Sequence, residues 1–113
     1  MHDPLSKTPD EEIGIRAFET KKARAVETAT SRMRHGMGDS WDQLSTQQIE
    51  ELRWTLGELW AYVAHGVWDE LHFGLLSHDE INRIVVLGAQ IRRHERPPVE
   101  VLNQIAELVS SKA

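Results

Sequence analysis

The stretch from Ser45 to Phe73, STQQIEELRWTLGELWAYVAHGVWDELHF, decides the fold of this chain. Its apolar residues recur every three or four positions, which is typical of one face of a helix and not of the alternation of a strand. Ser45 with Gln48 three residues later matches a capping box, and Gly74 can close a helix in the left-handed conformation. The sequence therefore predicts one long central helix over residues 45–73.

Helical periodicity on either side of this stretch predicts further helices. Ser77 and Glu80 repeat the capping box, and Pro97-Pro98 is expected to stop one helix and start the next. The predicted helices cover approximately residues 10–34, 45–73, 78–96 and 98–111. The expected fold class is therefore all-α, a small helical bundle of about four helices.

The connections between these helices carry their own predictions. Two glycines within residues 35–40 indicate a linker. Because only a few residues separate the second and third predicted helices, an antiparallel hairpin is expected there. Residues 1–9 contain two prolines and no periodicity, which predicts a disordered N-terminus, and residues 10–113 are expected to form a single helical domain.

Composition narrows the classes of function. The 113 residues include no cysteine, which excludes disulfides, thiolate metal sites and cysteine nucleophiles. Neither a signal-peptide pattern nor an apolar run long enough to span a membrane is present, so a cytoplasmic protein without membrane contact is expected. No glycine-rich phosphate loop or catalytic serine signature appears, which favours a protein that is not an enzyme.

Charge is distributed unevenly along the chain. The net charge of −5 argues against general nucleic-acid binding. Residues 16–34 nevertheless hold six basic and two acidic residues, whereas residues 54–82 hold five acidic residues and no Lys or Arg. These opposite patches are expected to attract each other, within one chain or between two. A DNA-binding regulator that uses the basic helix 16–34, or the cluster Arg92, Arg93 and Arg96, is an alternative function.

A second alternative is divalent metal binding. Glu58, His65, Asp69 and His72 would project to one side of the predicted long helix. Imidazole and carboxylate groups in such an arrangement are the ligands of metal sites in helical bundles. No HExxH or ExxH pair accompanies them, and a solvated polar face explains the same pattern. The leading expectation is therefore that the protein binds no cofactor.

The leading functional prediction is an interaction or regulatory protein, a homodimer or the partner of another protein. Four tryptophans in so short a chain match the aromatic enrichment found at the centres of interfaces. The predicted interface residues are Trp54, Trp60, Tyr62 and Trp68. A helix that is apolar over so wide an arc usually lies at the centre of a bundle or in an oligomer interface.

Overall fold

The computed structural model describes residues 9–110, and it describes side chains from Arg16 onward except that of His65. Within this range the regular structure is entirely helical, which confirms the all-α prediction. The α-helices are α1 (Pro9–Met37), α2 (Thr46–Tyr62), α3 (His78–Arg92) and α4 (Pro98–Ser110). Short 3-10 helices occupy Gly38–Gln43, His65–Glu70 and Phe73–Leu75. The predicted disorder of residues 1–9 lies outside the described range, apart from Pro9, which begins α1.

The starts of α2 and α3 are confirmed as predicted. Ser45 accepts a hydrogen bond from the backbone N–H of Gln48 at 3.1 Å, and the Gln48 side chain accepts one from the N–H of Ser45 at 2.8 Å. Ser77 and Glu80 form the same reciprocal pair before α3. Each capping box satisfies donors that the first turn of a helix leaves without partners.

The prediction of a single helix over residues 45–73 is wrong in its second half. α2 ends at Tyr62, and Val63 adopts an extended conformation with φ −83° and ψ 160°. α1 and α2 run antiparallel, since Phe18 packs on Trp60 while Glu27 pairs with Arg53. A helix that continued straight from Tyr62 would soon pass the start of α1. The apolar side chains beyond Tyr62 would then have little surface against which to bury.

The chain instead folds back along α1 through residues 63–76, which we call the return segment. Trp68 is buried, its indole Nε1 donates to the carbonyl of Ala25 at 3.0 Å, and its ring packs 4.8 Å from that of Phe73. Near the end of α1 the two backbones touch, because a Cβ added at Gly36 would lie 2.1 Å from the carbonyl oxygen of Gly74. Burial of large side chains on α1 therefore outweighs local helix propensity in this segment.

The return segment reverses the direction of the next helix, so the predicted antiparallel hairpin is wrong. Gln48 donates to Asn82 at 3.3 Å, and further along both helices Thr55 lies against Gly88. Because later residues of α2 contact later residues of α3, the two helices are parallel. A parallel pair needs a connection that spans the length of a helix, and the return segment provides it.

Other boundaries also differ from the predictions. The expected linker over residues 35–40 is helical, because α1 continues to Met37 and a 3-10 helix follows directly. α3 ends at Arg92 and not at residue 96, since the chain leaves the helix before His94, which has a φ of 57°. Pro98 begins α4 as predicted. These differences move helix ends and leave the order of the α-helices unchanged.

The molecule is elongated because of α1. Its dimensions are 56 × 30 × 27 Å and its radius of gyration is 16.0 Å, compared with about 13 Å for a compact chain of this length. The 29 residues of α1 span roughly 43 Å at about 1.5 Å per residue. Within residues 9–110 no helix has both the length and the apolar character that a bilayer crossing requires.

Candidate functional site

The four predicted metal ligands are not on one helix. Glu58 lies in α2, Asp69 lies in the 3-10 helix of the return segment, and His72 follows that helix. His65 precedes Asp69 in the same 3-10 helix, but its side chain is outside the described set. Asp69 is directed toward α1, where its carboxylate lies 4.0 Å from Arg32. Among the described side chains no group of three or more potential ligands is close enough to hold a metal. Metal binding that includes His65 stays a prediction.

The predicted interface residues have different environments. Trp60 and Trp68 are each only 4% exposed and belong to the core of the folded chain. Trp54 is half-buried, and the guanidinium of Arg92 lies 4.7 Å from the centre of its ring. Tyr62 is 38% exposed at the end of α2, where its hydroxyl donates to Asn103 at 2.6 Å. Of the four, Tyr62 offers the most accessible ring to a partner.

The arginine cluster after α3 is already engaged with other parts of the chain. Arg92 forms an ion pair with Glu51 in addition to its contact with the indole. Arg96 pairs with Glu100 at 2.9 Å and donates to Gln90 at 3.3 Å. The side chain of Arg93 is exposed and no ion pair involving it occurs among the described residues. Two of the three arginines that were predicted to bind DNA would therefore have to break an internal ion pair before they could contact a phosphate.

The charged side chains of α1 are only partly paired with charges on other described elements. Arg53 of α2 donates to both carboxylate oxygens of Glu27, at 3.1 and 3.0 Å, and Arg32 contacts the return segment. These hydrogen bonds, with the charge of Arg53, lower the pKa of Glu27 below its usual value. Lys21 and Arg24 are exposed and make no ion pair within the described residues. The predicted attraction between opposite patches thus occurs in part within one chain, and some cations remain available.

Lys21 and Arg24 stand at the edge of a hollow between α1 and the return segment. The hollow has a volume of about 320 Å³, and its walls include Trp60, Trp68 and Asp69. A second cleft, of about 520 Å³, lies between α2 and α3. Its lining includes Gln47, Glu51, Val85, Ala89 and Arg93. In this cleft Arg92 is paired with Glu51, so less uncompensated charge faces a ligand there than in the hollow.

A surface that the sequence reasoning missed lies where α2 ends. Phe18 is 41% exposed and its ring centre lies 5.1 Å from that of Trp60, in the last turn of α2. Tyr62 is the last residue of that helix, and Val67, which is 40% exposed, belongs to the 3-10 helix that follows. We call Phe18, Tyr62 and Val67 the apolar end. Phe18 and Trp60 are far apart in the sequence, and only the fold brings Phe18 next to the end of α2.

The chain was compared with models of protein families, with curated proteins and with solved structures, and none of the three gave a match.

Proposed function

We propose that this protein is a helical interaction module that self-associates, and that two copies meet through the apolar end. The observation that supports the proposal is that three large apolar side chains, those of Phe18, Tyr62 and Val67, are exposed beside or just after the end of α2. Six large hydrophobic residues are exposed among those described, and half of them belong to the apolar end. An exposed apolar group with a polar rim is characteristic of interaction surfaces.

A second copy is the partner that the surrounding charges favour. Arg16 lies two residues before Phe18 on α1, and Glu70 closes the 3-10 helix that contains Val67. Both side chains are exposed and neither forms an ion pair within the described part of the chain. A two-fold axis places the same patch of each copy against the other. A patch that carries both signs of charge around an apolar centre is complementary to itself, so each Arg16 would face a Glu70.

A dimer interface would occupy only a small share of the surface of this chain. A stable dimer of standard size buries about 800 Å² on each partner, which is roughly a tenth of the 7382 Å² accessible surface of this chain. α1 extends beside the apolar end and would add its exposed residues 16–20 to the contact. In this arrangement Phe18 and Tyr62 contact the second copy, and the buried indoles of Trp60 and Trp68 pack behind the interface.

Sedimentation equilibrium of the purified chain at micromolar concentration tests the proposal. We expect the wild type to be a dimer and Phe18→Glu to be a monomer, because the substitution buries a carboxylate at the centre of the contact. Val67→Glu is the second variant, since its site lies in a short 3-10 helix and not in α1. Val86→Glu on α3, where Val86 is 57% exposed, is the matched control and should remain a dimer.

Circular dichroism shows whether each variant is folded, so loss of the dimer can be separated from unfolding. A wild-type chain that is monomeric throughout the micromolar range would overturn the proposal. It would also be overturned if Val86→Glu weakened association as much as Phe18→Glu and Val67→Glu, because the contact would then not be located at the apolar end.

A further inference from the structure

The hollow between α1 and the return segment combines small exposed parts of two fixed indoles with two cations. Trp68 cannot swing into the space, because its ring packs on Phe73 and its Nε1 is bonded to the carbonyl of Ala25. Trp60 is 4% exposed and packs against Phe18. The apolar walls are therefore already in position, and a ligand would not have to order them.

Among the described side chains, no ion pair balances the two cations at the edge of the hollow. Lys21 and Arg24 are three residues apart on α1, so they lie on neighbouring positions of one helix face. Among the described residues of the lining, the one carboxylate is that of Asp69, which lies 4.0 Å from Arg32, and Arg32 also donates to the backbone carbonyl oxygen of Asp69 at 3.2 Å. Two cations thus share the hollow with one carboxylate that already contacts a third cation. This local excess is opposite in sign to the net charge of −5.

We propose that this hollow binds a small aromatic anion, with its ring beside the small exposed parts of Trp60 and Trp68 and its carboxylate, sulfonate or phosphate between Lys21 and Arg24. Its volume of about 320 Å³ is at the lower limit of small-molecule sites, which begin at about 300 Å³. A planar ring is narrow enough to lie in such a hollow, and the charged group supplies the orientation. This site does not depend on self-association, because all of its walls come from one chain.

The probe is 1-anilinonaphthalene-8-sulfonate, measured by its own fluorescence and by isothermal titration at a protein concentration where sedimentation shows a single species. N-phenyl-1-naphthylamine, which has the same rings and no sulfonate, is the uncharged comparison. We expect one sulfonate to bind per chain, with an affinity that falls as salt increases. The uncharged amine should bind at least about fivefold more weakly, because it lacks contacts worth a few tenths to about 1 kcal/mol each.

Lys21→Gln/Arg24→Gln should weaken binding of the sulfonate about fivefold or more, for the same reason. Arg83→Gln/Arg93→Gln removes the same charge from exposed positions of α3 and its end, and it should leave binding unchanged. All four side chains are exposed, so both variants are expected to fold.

Three results would overturn the proposal. They are equal affinity in both double variants, equal affinity for the uncharged amine, and binding that is absent or without defined stoichiometry in the wild type. Failure of self-association in the sedimentation experiment would leave this titration unaffected, so the two proposals can fail separately.

Discussion

The contact between Gly88 and Thr55 makes a quantitative prediction about how α2 and α3 pack. A Cβ added at Gly88 would lie 1.8 Å from Oγ1 of Thr55 and 2.9 Å from its Cβ and Cγ2. Thr55 is fully buried, and its hydroxyl donates to the carbonyl of Glu51 at 2.8 Å, so it cannot turn aside without losing that bond. Gly88→Ala must therefore push the two helices apart.

Gly57→Ala in α2 is the matched control, because it makes the same change within a helix but meets a different neighbour. Its added Cβ would lie 2.9 Å from Cε of Lys22, near the end of a flexible side chain. Alanine is favoured over glycine in a helix by about 0.8–1.0 kcal/mol at both positions. Gly57→Ala should therefore be neutral or stabilising by up to about 1 kcal/mol. At Gly88 overpacking costs about 1–3 kcal/mol, so after the gain in helix propensity a net loss of up to about 2 kcal/mol is expected.

Urea unfolding followed by circular dichroism measures both variants. Gly88→Ala should lower the free energy of unfolding and Gly57→Ala should not. Thr55→Ala combined with Gly88→Ala should be less destabilised than the two single changes predict together, because truncating Thr55 removes the atoms that clash. If Gly88→Ala were as stable as Gly57→Ala, the close parallel packing of α2 and α3 would be refuted.

Three further predictions concern other parts of the molecule. Gly36→Ala places a Cβ against the carbonyl of Gly74, so it should destabilise the fold by about 1–3 kcal/mol, and thermal unfolding should show a lowered midpoint. The lowered pKa of Glu27 means that its pair with Arg53 stabilises the fold above the usual carboxyl pKa of about 4.5. That contribution, at most about 1 kcal/mol for so exposed a pair, is lost as pH falls through the lowered value, and Glu27→Gln should abolish this dependence in acid unfolding curves. If the four predicted ligands hold a divalent metal, elemental analysis should find it and zinc should raise the unfolding temperature; neither effect in the wild type would refute metal binding.

The features that the sequence predicted correctly are local ones. Both capping boxes depend on residues three positions apart, and Pro98 begins its helix for reasons contained in its own backbone. The apolar residues between Ile49 and Trp60 form a helix because the helical spacing in the sequence also places them against the core. Features of this kind can be recognised in the sequence without knowing which helices are neighbours in the fold.

The errors arise where periodicity and tertiary packing disagree. Val63, Val67 and Leu71 continue the helical spacing, but the structure places them in the return segment. One signal of this was present in the sequence, since Trp41-Asp42-Gln43-Leu44 and Trp68-Asp69-Glu70-Leu71 are close repeats. In both, the N–H of the final leucine donates to the carbonyl of the tryptophan, at 3.1 and 3.2 Å, as the 3-10 helix gives way to extended chain. The predicted metal site and interface both assumed the longer helix, and their geometry changed with it.

A chain of hydrogen bonds connects the start of α2 to the start of α3 and explains why their parallel register is specific. The N–H of Ser45 donates to Oε1 of Gln48, which leaves the Gln48 amide nitrogen to donate to Oδ1 of Asn82. The Asn82 amide nitrogen, 3.2 Å from Nδ1 of His78, must then donate to it, so the proton of the neutral imidazole is on Nε2. Nε2 is itself buried and no acceptor among the described residues reaches it. A shift of α3 by one residue would break the half-buried hydrogen bond from the Gln48 amide nitrogen to Oδ1 of Asn82, and a bond of this kind contributes about 0.5–1.5 kcal/mol. The capping residue of one helix therefore also fixes the position of the next.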